Sequence, residues 1–109
     1  MKENNISIYL PWKQFEREIV KAFKKAGFRD AKRNWSEQFG EESGKDLINT
    51  EPYVIQCKYG VRPNLVGAWQ EAAGEAKKGE IPVGIARFKN CKGTFVCLSI
   101  KDFMWMIKQ

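Results

Sequence analysis

The run Tyr53-Val54-Ile55-Gln56-Cys57-Lys58-Tyr59 constrains this chain more than any other stretch. Its β-branched and aromatic residues favour a strand, and a strand sends alternate side chains to opposite faces. Val54, Gln56 and Lys58 therefore share one face, and Tyr53, Ile55, Cys57 and Tyr59 the other. Upstream lie Gly44-Lys45-Asp46-Leu47 and then Asn49-Thr50-Glu51-Pro52, a cluster of turn residues. The spacing predicts that the Asp46 strand folds back antiparallel and sets Asp46 beside Gln56 and Lys58.

Composition limits the chemistry available. With 109 residues the chain is read as one domain, long enough to bury roughly two thirds of its unfolded surface. No apolar stretch approaches the roughly 20 residues of a membrane span, and Met1 to Asn5 lack an apolar signal segment. A cytoplasmic chain without membrane partners is expected. Cys57, Cys91 and Cys97 show no C-x-x-C spacing and are read as small buried apolar residues. The sequence contains no histidine, which excludes Ser-His-Asp and Cys-His dyads, histidine general bases and C2H2 fingers. Catalysis is left to carboxylates, lysine, metal or cysteine. The net charge of +6 favours a polyanionic partner, although such lysines also serve solubility alone.

The pattern along the chain is α/β. Pro11 opens a first helix that runs to about Ala26 and stops at Gly27, with Trp12, Phe15, Ile19, Val20 and Phe23 as its apolar stripe. A short strand is expected within Phe28–Arg33, then a polar loop from Asn34 to Ser43. A second helix is expected over Asn64–Lys78, with small residues on one face for close packing on a sheet or a helix. Strands follow over Pro82–Phe88 and Thr94–Ser99, and a last helix begins at Ser99. Phe103 to Ile107 leave that helix apolar almost all round, so it either plugs the fold or forms an oligomer interface.

One carboxylate is out of place. At about 100° per residue, Glu16 falls only about 40° from the centre of the first stripe, whereas Glu18 points to solvent. A carboxylate among Trp12, Ile19 and Val20 needs a cation, a hydrogen-bond partner or a water-lined cleft. It is either a structural salt bridge or part of a site, and the Asp46, Gln56 and Lys58 cluster supplies a reason for the second. Oxygen donors and an ammonium group in this arrangement suit a divalent-metal nuclease.

These segments resemble the PD-(D/E)xK nuclease superfamily, and within it the archaeal and phage-type Holliday junction resolvases. Phe15-Glu16-Arg17-Glu18-Ile19-Val20 is similar to their first helix, Gly44-Lys45-Asp46-Leu47 to their x-x-D-Φ strand (Φ apolar), and Gln56-Cys57-Lys58 to their E-x-K. Gly79-Glu80-Ile81-Pro82-Val83 is similar to the G-x-I-P-Φ strand after their second helix. The resemblance implies a restriction-endonuclease-like mixed sheet flanked by helices. It implies Glu16, Asp46 and Gln56 as metal-site residues, Lys58 as catalytic lysine, and Arg17 and Arg33 on phosphate. The chain departs from the family at Gln56, where glutamate is usual, and the basic residue after E-x-K is shifted to Arg62.

On this reading Mg²⁺, or Mn²⁺ in its place, is held by Asp46, the Gln56 side-chain oxygen and the Cys57 backbone carbonyl, with Glu16 acting through water. Trp35 and Phe39 either stack on bases or pin their loop to the core. A four-way junction has near two-fold symmetry, so a homodimer is expected, with Phe103–Ile107 and the small-residue face of the second helix as candidate surfaces. Two alternatives stay open: a nicking or restriction-like nuclease on duplex DNA, and a basic DNA-binding module that does not cut.

Overall fold

The structure is a computed structural model that describes residues 11–34 and 45–109. Helix α1 (Pro11–Lys25) opens on proline, carries Lys24 and Lys25 in its last turn, where cations oppose the helix dipole, and is followed by Gly27 at φ 116°. Strand β1 (Lys32–Arg33) pairs antiparallel with β2 (Leu47–Ile48). Asn49, at φ 64°, and buried Thr50 then reverse the chain; the Thr50 hydroxyl donates to the Tyr53 carbonyl at 2.8 Å, and the Glu51–Pro52 peptide is cis.

Strand β3 (Tyr53–Gly60) is the next element, and helix α2 (Leu65–Glu75) carries the chain over to β4 (Ile81–Phe88), which pairs parallel with β3. Strand β5 (Thr94–Cys97) adds antiparallel to β4, and α3 (Ile100–Ile107) ends the fold. The result is an α/β protein with a mixed three-stranded sheet, a two-stranded ribbon and three helices among the described residues. None of those helices is long and apolar enough to cross a membrane.

Parallel register puts Tyr53, Ile55 and Cys57 opposite Ile81, Val83 and Ile85. These odd-numbered residues form one apolar face, covered by Phe15 and Ile19 of α1 and joined by Leu47. The even-numbered face meets α2, whose Gly67, Ala68 and Ala72 are buried. Gly84 sits beneath this helix so closely that an added Cβ would lie 2.6 Å from the Trp69 nitrogen and 2.9 Å from the Leu65 carbonyl oxygen. The small face of α2 is thus spent on the sheet and is not a surface for a second copy.

Several boundaries and placements differ from the sequence reading. Helix α2 stops at Glu75 because Ala76 turns extended, and a turn closed by Glu80 N–H on the Lys77 carbonyl replaces the next helical turn. Strand β5 ends at Cys97, since Ser99 is committed as N-cap to the Asp102 N–H. The last helix is no plug: it buries no residue, and Phe103, Met104, Trp105, Met106 and Ile107 are all exposed. Of the cysteines only Cys57 is buried, while Cys91 is exposed in the β4–β5 turn.

Gly84→Ala is expected to lower unfolding free energy by about 1–3 kcal/mol in urea denaturation, because the obstacle is helix backbone that cannot rotate aside. Gly74→Ala, where a Cβ meets nothing within 4 Å, is expected instead to stabilise by about 0.5–1 kcal/mol.

Candidate functional site

Asp46 is fixed at the junction of the two sheets. Its carbonyl accepts from the Asn34 N–H at 2.9 Å, and its own N–H donates to the Ile55 carbonyl at 3.0 Å. Its carboxylate Oδ2 accepts from the Cys57 N–H at 2.7 Å. The expected return of the Asp46 segment onto β3 is therefore present at this residue, while Leu47 and Ile48 pair with β1 instead. Along a strand, the N–H and C=O of one residue point to the same edge. Because the Cys57 N–H faces Asp46, the Cys57 carbonyl faces that edge too.

Gln56 and Lys58 lie on the α2 face. Gln56 is 4% exposed, and its Nε2 donates to Glu75 Oε1 at 2.9 Å. Lys58 Nζ meets Glu71 Oε2 at 2.9 Å and Oε1 at 3.2 Å. Glu71 and Glu75 are four apart in α2, so they occupy one side of the helix and reach the two polar residues of β3. Sequence reasoning missed both glutamates. The signal available was their i, i+4 spacing opposite the i, i+2 spacing of Gln56 and Lys58.

Glu16 is on the other side of the sheet. Its Oε1 accepts from Arg33 Nε at 2.9 Å, and both side chains are nearly buried. The Arg33 guanidinium also lies 6.0 Å from the Trp12 ring centroid. This ion pair supplies the cation that an inward carboxylate requires, and it turns Arg33 toward the helix. Glu16 therefore does not share a face with Gln56 and Lys58, although it and Asp46 both lie near enough to Cys57 to act on its thiol. Glu18, expected in solvent, is instead bonded to Arg87 Nη1, whose guanidinium lies over the Phe15 ring at 4.9 Å.

The Cys57 side chain enters the α1-facing core. Burial pushes its thiol well above the ordinary cysteine value, and the Asp46 and Glu16 carboxylates push it further. A neutral thiol is a poor nucleophile and a poor ligand for a hard cation, so the Cys57 sulfur suits neither role. Arg17 and Arg33 line one groove of about 430 Å³ together with Lys21, Lys24 and Lys32, and Arg62 is exposed just after β3. Trp35 and Phe39 lie outside the described residues, as does Gly44.

Among the described residues no three His, Cys, Asp or Glu side chains lie close enough to hold a metal ion. A carboxylate, an amide oxygen, a strand carbonyl and water are nevertheless a fitting donor set for Mg²⁺, which is usually held by one or two carboxylates and keeps several waters. Asp46 and Cys57 bring their oxygens to one sheet edge, and Gln56 lies between them in the chain. Comparison with protein-family models, curated proteins and solved structures gives no match to this chain.

A maleimide reagent at neutral pH is expected to label Cys91 quickly and Cys57 only after unfolding, as read by mass spectrometry of digested protein. Arg33→Ala is expected to cost about 1–3 kcal/mol of stability in urea denaturation, because it removes the charged hydrogen-bond donor from nearly buried Glu16. Glu16→Gln should cost less, since a neutral amide there no longer needs the cation.

Proposed function

We propose that this chain is a Mg²⁺-dependent endonuclease of the PD-(D/E)xK type that hydrolyses phosphodiester bonds in branched DNA, with the four-way junction as substrate. The observation that carries the proposal is the pinning of the Asp46 carboxylate by the Cys57 N–H, between Gln56 and Lys58 in the chain. A carboxylate held in this way supports the reading of Asp46 as the fixed acidic member of the site. The absence of histidine agrees, since this chemistry needs none.

In this mechanism Asp46, the Gln56 amide oxygen and the Cys57 carbonyl are the groups that would hold Mg²⁺, or Mn²⁺ in its place. When bound, such a cation would supply Lewis acidity to the phosphodiester and to a water molecule. Lys58 exchanges its Glu71 partner for a phosphate oxygen and stabilises the charge that gathers there. Glu71 serves as the ammonium's resting partner. Arg17, Lys21, Lys24 and Lys32 along the α1–β1 groove neutralise backbone phosphates, and Arg62 does so beyond β3. Arg33 contributes to this field and keeps Glu16 in place.

A homodimer would give two cuts across a two-fold junction. The exposed apolar side chains of α3, with Phe95 and Val96 of the β5 edge strand, are the surface on which we place it. A second reading, a basic DNA-binding module without cleavage, draws on the ion pairs that occupy Lys58 and Arg33.

Purified protein is expected to cut a labelled four-way junction with Mg²⁺ and not with EDTA, and to leave matched linear duplex largely intact. Asp46→Asn and Lys58→Ala are each expected to slow cleavage by about 100-fold or more while binding persists. Equal rates on junction and duplex would reassign the protein as a duplex nuclease. Binding with no cleavage by the parent protein would favour the non-catalytic module.

A further inference from the structure

The hydrogen bond from Gln56 to Glu75 gives a physical reason for glutamine at a position where a carboxylate would be the ordinary cation ligand. An amide has two chemically different ends, and only its oxygen can ligate a cation. A carboxylate accepts hydrogen bonds and cannot donate them, so Glu75 selects the NH₂ end of Gln56. The opposite flip would set oxygen against oxygen. With Nε2 held 2.9 Å from Glu75 Oε1, the amide oxygen is turned away from that carboxylate. Burial of Gln56 among packed residues removes the alternatives that solvent would offer.

We propose that Glu75 is the positioning residue of the cation site: it orients the Gln56 amide so that the oxygen serves as ligand, and it makes glutamine the favoured residue at position 56. The proposal rests on the reading of Asp46 and Gln56 as cation ligands. A carboxylate in place of Gln56 would face Glu75 with acceptors on both sides and no donor between them. Lys58 and Glu71 repeat the arrangement one turn back along α2, which keeps the lysine from competing for Glu75.

Manganese supplies a readout that does not depend on cleavage, because free Mn²⁺ is counted directly by its electron paramagnetic resonance signal during titration. The parent protein is expected to bind one Mn²⁺ that Asp46→Asn loses. Glu75→Gln should weaken Mn²⁺ binding by about 10–100-fold, the usual effect of removing a partner that orients a ligand. Gln56→Glu alone should also weaken binding, because a carboxylate at that position has no N–H to donate to Glu75 and is turned by no hydrogen bond from it. The exchange Gln56→Glu with Glu75→Gln should restore binding to within a few-fold of the parent, because the amide at 75 now donates to the carboxylate at 56.

Circular dichroism melts of every variant separate loss of fold from loss of the cation. Unchanged Mn²⁺ affinity in Glu75→Gln, or failure of the folded double exchange to recover it, would overturn the positioning role while leaving the Asp46 site standing. No Mn²⁺ binding by the parent protein, or equal binding by Asp46→Asn, would overturn the cation site itself and the role of Glu75 with it.

Discussion

The contact on which the rest of the site depends is the short hydrogen bond from the Cys57 N–H to the Asp46 carboxylate. Backbone groups on the outer edge of β3 must find partners, and β2 is too short to supply them all. Asp46 meets this demand with both main chain and side chain, and so ties the β1–β2 ribbon to the main sheet. A carboxylate that satisfies a strand N–H is held without rotational freedom. That rigidity is what a cation or phosphate site needs, and it comes from a structural requirement of the sheet edge.

The second organising fact is that β3 divides its duties by parity. Odd-numbered side chains belong to the core with α1, and even-numbered ones to the crossover helix. Gly84 and the small residues of α2 let that helix come close enough for Glu71 and Glu75 to reach Lys58 and Gln56. The same parity puts Glu16 on the far side, where Arg33 and Trp12 receive it. An inward-facing carboxylate on a helix is thus accounted for by an ion pair, and its link to the proposed chemistry runs through Arg33 and the basic groove rather than through shared ligation.

Much of the architecture was legible because local signals agreed with one another. Pro11 and Gly27 bracket α1, Asn64 and Ser99 cap the two later helices, and alternation in Tyr53–Tyr59 assigned both faces of β3 correctly. What failed depended on partners distant in sequence. Leu47 and Ile48 chose β1, and the apolar last helix found no core to enter. Periodicity specifies which side of an element is apolar, but it carries no information on which other element covers that side.

The α/β class, the turn before β3, the exclusion of histidine chemistry and the prominence of Asp46, Gln56 and Lys58 are written in the residues themselves. Each of these follows from composition or from spacing within one element. Packing is what clamps Asp46 to the strand between the other two, pairs Glu16 with Arg33, and stands Glu71 and Glu75 over Lys58 and Gln56. These pairings are set by how closely a helix can approach a sheet and by which edge of β3 Asp46 reaches, and both are properties of the packed chain.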